Sequence, residues 1–193
     1  MCDLEAVLMG TWSIHDDLMS LQRCVEDLLP EEYDFRFVYF WLQFHGLPIS
    51  MMNITKVTKL AQRIGTTKPI TEEDATKWGR FARARVLIDT TQPLPRDFII
   101  TLASKKKRTV QIKYEKLPRV CYFCGFFGNQ MKQCPSLSKV LEDNNIPPKD
   151  FSSKMSDPKP ARYSDFLHAN FKPSSNLVTE KTVGTCLENN VSY

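Results

Sequence analysis

The feature of this sequence that most constrains its fold is a run of three closely spaced cysteines, CYFCGFFGNQMKQC, at residues 121–134. Cys121 and Cys124 have the C-x-x-C spacing at which two thiolates hold one zinc ion while backbone amides point at the sulfurs. Gly125 and Gly128 allow the chain to double back, so that positions 129 and 134 can close a tetrahedron. This loop is therefore predicted to fold around a metal ion.

The ligand order is that of a zinc knuckle, C-x2-C-x4-H-x4-C, with Asn129 in the position of the histidine. An amide oxygen is a harder and weaker donor to zinc than an imidazole nitrogen, so the affinity for zinc is predicted to fall. One alternative is zinc held by Cys121, Cys124 and Cys134, with water, the Asn129 amide or a nearby side chain in fourth place. The other alternative is a loop without metal. A catalytic zinc site is not favoured, because no glutamate is placed beside the motif as a general base.

The distribution of charge indicates the kind of partner. The net charge is only +4, but the first 34 residues are acidic and basic residues crowd the approach to the cysteines. These basic residues are Lys105, Lys106, Lys107, Arg108, Lys113, Lys116 and Arg119. A basic approach to a metal motif favours the binding of a polyanion.

Aromatic rings inside the cysteine loop can stack on unpaired bases while neighbouring cations meet phosphates. The residues predicted to bind nucleic acid in this way are Tyr122, Phe126, Phe127, Lys116, Arg119 and Lys132. The alternative for Phe126 or Phe127 is packing against the loop's own backbone or an adjacent sheet.

The hydrophobic pattern predicts an α+β fold, with a β-α-β-β-β unit in residues 35–118. Strands are predicted in 37–48, where Phe40, Leu42 and Phe44 share one face, in 81–89, and on both sides of a charged hairpin tip, SKKKR. A helix is predicted between the N-cap Asn53 and Gly65.

The flanking regions are predicted to be less complete. Residues 1–34 look incomplete as a domain, with a short helix predicted at Leu4–Met9 and a strand at Leu18–Arg23; the resemblance described below implies that they are a remnant of an upstream domain. The cysteine loop occupies 119–135, and the Ser-, Pro-, Lys- and Asn-rich residues 136–193 are predicted to be largely disordered.

A second sheet face is predicted opposite the core, formed by Trp41, Gln43, His45, Phe81, Arg83 and Arg85. This face is interpreted either as an open surface for single-stranded RNA or as a surface covered by a helix, another domain or another copy of the chain.

Several runs of this sequence resemble plant zinc-knuckle proteins of LINE-type retrotransposon origin, in which a domain of unknown function precedes the knuckle. The runs are FWLQFHGLP, LAQRIG, FARARVLIDTTQPL and VQIKYEKLPRVCYFCGFFG, with a similar segment, ARYSDFLHA, at 161–169. The stretch EAVLMGTWSIHDDLMSLQRC is similar to the end of the upstream domain, so an N-terminal truncation is expected. The resemblance implies a gag-like module that binds nucleic acid through its knuckle.

The function predicted from the sequence is binding of single-stranded RNA or DNA with low specificity, using zinc as cofactor. The alternative is a structural or self-association module, or a non-functional transposon relic without metal. No enzyme and no small-molecule substrate are expected, since no catalytic constellation or phosphate-cradling glycine loop is found. An intracellular, nuclear or cytoplasmic chain without a membrane span is expected, because there is neither a signal peptide nor a run of about 18 apolar residues.

Overall fold

The computed structural model describes residues 3–8, 10–147 and 163–169, and its architecture is α+β as the sequence predicts. The helices are α1 (Asp3–Leu8), α2 (Ile54–Ala61), α3 (Glu72–Thr76) and α4 (Pro135–Asp143). The strands are β1 (Trp12–Ile14), β2 (Asp17–Met19), β3 (Phe37–His45), β4 (Thr66–Thr67), β5 (Phe81–Asp89), β6 (Asp97–Thr101) and β7 (Lys107–Tyr114). Each described helix is too short to cross a membrane.

Five strands form one antiparallel sheet in the order β4-β5-β3-β7-β6. β3 and β5 pair along their whole length, from Phe37↔Asp89 to His45↔Phe81. β7 pairs only with the second half of β3, beginning at Leu42↔Tyr114. The predicted β-α-β-β-β unit is confirmed, and the structure adds the short elements β4 and α3 to it.

One face of the sheet carries the main hydrophobic core, as the alternating pattern predicts. Phe40 and Phe44 of β3 are fully buried on this face, and small residues lie opposite on β5, where Phe44 pairs with Ala82. Because the alanines leave room above the sheet, α2 can pack against β5 with its buried Val57 and Leu60. The helix begins where predicted, since Asn53 Oδ1 accepts the Lys56 N–H at 2.9 Å.

The N-terminal residues form a hairpin rather than the strand predicted at Leu18–Arg23. β1 and β2 pair across a two-residue turn at His15 and Asp16, which have φ angles of 51° and 67°. Such turns usually carry Asn-Gly or Asp-Gly, so a His-Asp pair gives little sequence signal. The segment joins the main sheet at Thr11, whose hydroxyl donates to the Tyr39 carbonyl at 2.9 Å.

The predicted disorder after residue 135 is wrong for two segments. Residues 135–143 form α4, which begins with Pro135 at its first position and buries Leu137 and Leu141. Residues 163–169 form an ordered segment against the sheet, where the Ala169 N–H donates to the Tyr114 carbonyl at 3.0 Å. The physical reason is long-range packing, which supplies the apolar contacts that each segment lacks by itself. Residues 148–162 and 170–193 of the predicted tail lie outside the described residues.

Phe40→Ala should lower the free energy of unfolding by about 3–5 kcal/mol, because it leaves a cavity in a fully buried site. Phe37→Ala is the matched control on the same strand, with a side chain 39% exposed. It should lower the free energy of unfolding by a smaller amount, about 1 kcal/mol, because its ring is only partly buried. Urea unfolding measures both values, and similar losses in the two variants would contradict the described burial.

Candidate metal centre and nucleic-acid interface

Three cysteine sulfurs form one compact group. The Sγ atoms of Cys121, Cys124 and Cys134 lie within 4.8 Å of one another. A tetrahedral zinc ion with bonds of about 2.3 Å places its sulfurs about 3.8 Å apart, so the group fits three of the four positions. Within the described part of the chain, no histidine or carboxylate joins this group.

A tight turn of the backbone places the first two cysteines side by side. The Cys121 N–H donates to the Phe126 carbonyl at 2.9 Å, and the Gly125 N–H donates to the Cys121 carbonyl at 2.8 Å. Gly125 has a φ angle of +79°, a conformation that residues with a Cβ rarely adopt. The local hydrogen bonds therefore form the C-x-x-C turn that the sequence predicts.

Burial and hydrogen bonds shift the pKa values of Cys124 and Cys134 in opposite directions. For Cys124, burial raises the pKa of the thiol to about 11, although the Phe126 N–H lowers it. For Cys134, burial also raises the pKa, but the Leu137 and Ser136 amides and the neighbouring thiols outweigh it and lower the pKa overall. Amides at the start of α4 thus favour a thiolate at Cys134, which is the form that binds a metal.

A small second core surrounds the sulfurs. Leu137 and Leu141 of α4 are buried against the fully buried Cys121 and Cys134. Partly buried apolar side chains complete it, namely Phe123, Met131 and Ile146. Sequence reasoning missed this apolar shell. The signal available was the spacing of Leu137 and Leu141 by four residues after a proline, which is typical of a helix start with one apolar face.

Asn129 is half-buried between Gly128 and a single-turn 3-10 helix, Met131–Gln133. Its position in sequence agrees with the knuckle spacing. Its role as the fourth ligand stays a prediction.

The three predicted stacking rings are in different surroundings. Phe127 stacks on Phe40 with ring centroids 5.6 Å apart, so it packs against the sheet. Tyr122 also packs against the main core, and its hydroxyl lies 3.4 Å from Nε2 of His168. Phe126 is half-buried and packs in neither core of the described residues. Phe126 is therefore the ring that the fold leaves most available to a ligand.

The predicted cations lie on two sides of the cysteine loop. Lys116 lies over the Trp12 ring, 5.8 Å from its centroid, and Arg119 donates through Nη2 to the His15 carbonyl at 3.0 Å. Both residues therefore lie where the N-terminal hairpin meets the loop. Lys132 is exposed in the 3-10 helix between Asn129 and Cys134.

Residues 163–169 contact both the cysteine loop and the main sheet. The Tyr163 N–H donates to the Tyr122 carbonyl at 3.0 Å, and the Tyr163 ring covers Gly125 so closely that a Cβ there would overlap it. On another side, the Leu94 N–H donates to the Gly125 carbonyl at 3.0 Å. Gly125 is therefore required for both its backbone conformation and its contact with Tyr163.

A zinc-knuckle family matches residues 88–136, which include β6, β7 and the whole cysteine loop. No curated protein and no solved structure matches the chain significantly. The family match supports the zinc-knuckle assignment of the loop, and the three thiol donors fit zinc.

Gly125→Ala should destabilise the protein more than Gly128→Ala does. Both glycines have a positive φ angle, so each substitution carries a backbone cost of about 1–2 kcal/mol. Only the Cβ at position 125 meets Tyr163, whereas nothing lies within 4 Å of a Cβ at position 128. The overlap should add about 1–3 kcal/mol, measured by urea unfolding under identical metal conditions.

Adding Tyr163→Ala should recover part of the loss in the Gly125→Ala background and none in the Gly128→Ala background. Equal losses for the two glycine variants, with no recovery, would show that Tyr163 does not pack on Gly125.

Proposed function

We propose that this chain is a nucleic-acid-binding module whose cysteine loop holds one zinc ion and contacts single-stranded RNA or DNA with low sequence specificity. The observation that carries this proposal is the group of three sulfurs within 4.8 Å, in a segment that a zinc-knuckle family matches. Zinc would crosslink the loop through Cys121, Cys124 and Cys134, with Asn129 or water in the fourth position. The role is binding rather than catalysis.

The proposal includes an origin in a plant LINE-type retrotransposon, as a gag-like module. Its support is the resemblance of FARARVLIDTTQPL and VQIKYEKLPRVCYFCGFFG to such proteins. Within this origin, the nucleic acid of the element is the expected partner.

The surface of the loop suits a charged strand with unpaired bases. Phe126 offers a ring outside the two cores, while Lys132, Lys116 and Arg119 offer positive charge. Aromatic stacking does not distinguish one base from another, and contacts to phosphates carry no sequence information. The expected affinity is therefore mainly electrostatic and the specificity low.

A second candidate function is self-association through β6, which forms an edge of the sheet. The side chain of Ile99 on this strand is 58% exposed, which favours pairing with another chain. The adjacent hairpin tip carries Lys105, Lys106 and Lys107, and charge at an edge opposes such pairing. Oligomers that form with increasing concentration in sedimentation, and that nucleic acid does not disturb, would support this second function instead.

Measuring the zinc content tests whether the cysteine loop binds a metal ion. This chain, purified without added metal, should contain close to one zinc ion per chain when its metal content is measured by inductively coupled plasma mass spectrometry. Asn129→His is the positive control, because imidazole completes a knuckle whose intact form binds zinc with about 10–16 kcal/mol. Cys134→Ser is the negative control. Zinc in the Asn129→His variant alone would remove the metal from the proposed function of the natural chain.

Salt dependence and stacking test the nucleic-acid contact. Affinity for a short oligouridylate or oligothymidylate, measured by fluorescence anisotropy, should fall steeply as salt increases. Lys132→Gln should reduce the slope of log K against log salt by about 0.7, whereas Lys59→Gln on α2 should not change it. Phe126→Ala should weaken binding by about 1–3 kcal/mol, with the exposed Phe35→Ala as the control. A binding signal independent of salt and of these variants would exclude the loop as the binding surface.

A further inference from the structure

A cleft lies on the outer face of the sheet, opposite the main core. We name it the Trp41 cleft. Its volume is about 510 Å³, within the range of about 300–1,000 Å³ that is typical of ligand sites. Trp41, Arg83, Arg85 and Glu115 form one side, and the N-terminal segment forms the other. Trp12 and Lys116 also line the cleft.

Trp41 and two guanidinium groups are arranged against one another in this cleft. Arg83 lies over the Trp41 ring with its Cζ 3.8 Å from the centroid, and Arg85 lies 5.0 Å from it. Arg85 is the direct cross-strand partner of Trp41. The sheet therefore fixes the ring and both cations before any ligand arrives, and this lowers the entropic cost of binding.

A network of hydrogen bonds holds Arg83 in place. Its Nε donates to Glu115 Oε1 at 2.7 Å, and the same oxygen accepts a hydrogen bond from Gln43 Nε2 at 2.8 Å. Glu115 thereby balances one positive charge. Arg85 and Lys116 leave the lining with an excess of positive charge, although Asp74 acts on Arg85 from outside the cleft.

The positive lining favours an anion, and the flat guanidinium of Arg83, which lies against the Trp41 ring, favours a flat partner. Burial, followed by repulsion from Arg83, lowers the pKa of the Arg85 guanidinium, so a phosphate placed there would relieve the repulsion between the two arginines. A nucleotide supplies both a phosphate and a stacking ring.

A short basic stretch of chain leads from the cleft to the cysteine loop. Lys116 lines the cleft beside Trp12, and Arg119, three residues further on, contacts the N-terminal hairpin at the carbonyl of His15. A strand that contacts the loop through Arg119 and Lys116 would therefore reach the cleft next.

We propose that the Trp41 cleft is a second contact site for the same single-stranded nucleic acid, in which a base stacks on the guanidinium plane of Arg83, supported by the Trp41 ring beneath it, and Arg85 contacts a phosphate. This inference takes its ligand class from the proposed function of the loop. It adds a site on the sheet that the zinc-knuckle match does not assign.

The test compares Trp41→Leu with Trp41→Phe in the full chain. Both substitutions keep an apolar side chain, but only phenylalanine keeps a ring. Trp41→Leu should weaken binding of oligouridylate or oligothymidylate in anisotropy by about 5- to 100-fold, and Trp41→Phe should retain most of the affinity. Arg85→Gln should weaken binding about tenfold, with Lys59→Gln as the control for the loss of one charge.

Unfolding curves of the same variants separate binding from stability, and Arg85→Gln keeps the test valid if Trp41→Leu is unstable. Affinities equal to the wild type in Trp41→Leu and Arg85→Gln would overturn the second site. Equal losses in Trp41→Leu and Trp41→Phe would overturn the stacking role.

Cys121→Ser separates this inference from the proposed function. Loss of binding in Cys121→Ser, with full binding in the cleft variants, would leave the loop as the binding site and overturn the cleft. Loss of binding in the cleft variants, with full binding in Cys121→Ser, would overturn the function proposed for the loop and support the cleft. Losses in both sets would support one strand that spans both sites.

Discussion

The contact on which the cysteine loop depends is the stack of Phe127 on Phe40. Phe40 is fully buried in the core, where its ring also contacts the ring of Tyr114 of β7 edge-on, with centroids 5.9 Å apart. The Tyr114 hydroxyl donates to the Pro95 carbonyl at 2.6 Å, and its own carbonyl accepts the Ala169 N–H. The rings of Phe127, Phe40 and Tyr114 therefore connect the cysteine loop, β3 and β7. The backbone of Tyr114 adds residues 163–169 to this group. The sheet therefore helps to position the loop that carries the three sulfurs.

Patterns between neighbouring residues in the sequence were sufficient to predict most of the main sheet and helix α2. The alternation of buried and exposed residues in β3 and β5 and the cap at Asn53 depend on neighbours in sequence, and each was found where it was expected. The His15–Asp16 turn could not be predicted, because its positive φ angles are held by a hairpin whose turn residues are unusual. α4 was missed for a different reason. Its apolar face is short and becomes favourable only when the cysteines lie against it.

The candidate metal centre could be predicted from the sequence, whereas the surroundings of its aromatic rings could not. Spacing alone identified Cys121, Cys124 and Cys134 as one group, because a C-x-x-C turn is local. Spacing could not decide whether Phe126 or Phe127 faces the solvent, since the choice depends on Phe40 on a distant strand. The pairing of Trp41 with Arg83 and Arg85 followed from the predicted outer face. The wall formed by residues 7–12 did not, because it requires the tertiary position of the N-terminal segment.

Residues 163–169 pack on the cysteine loop and on β7, so the packed part of the protein extends beyond α4. The last cysteine of the candidate metal group is Cys134, yet the backbone partners of Tyr122 and Tyr114 come from Tyr163 and Ala169. A fragment cut just after α4 would keep all three thiols but expose these two carbonyls and the apolar surface that Leu167, only 4% exposed, now covers. For biochemical work, a fragment that keeps this packing must extend at least to residue 169, well beyond the boundary that the cysteines suggest.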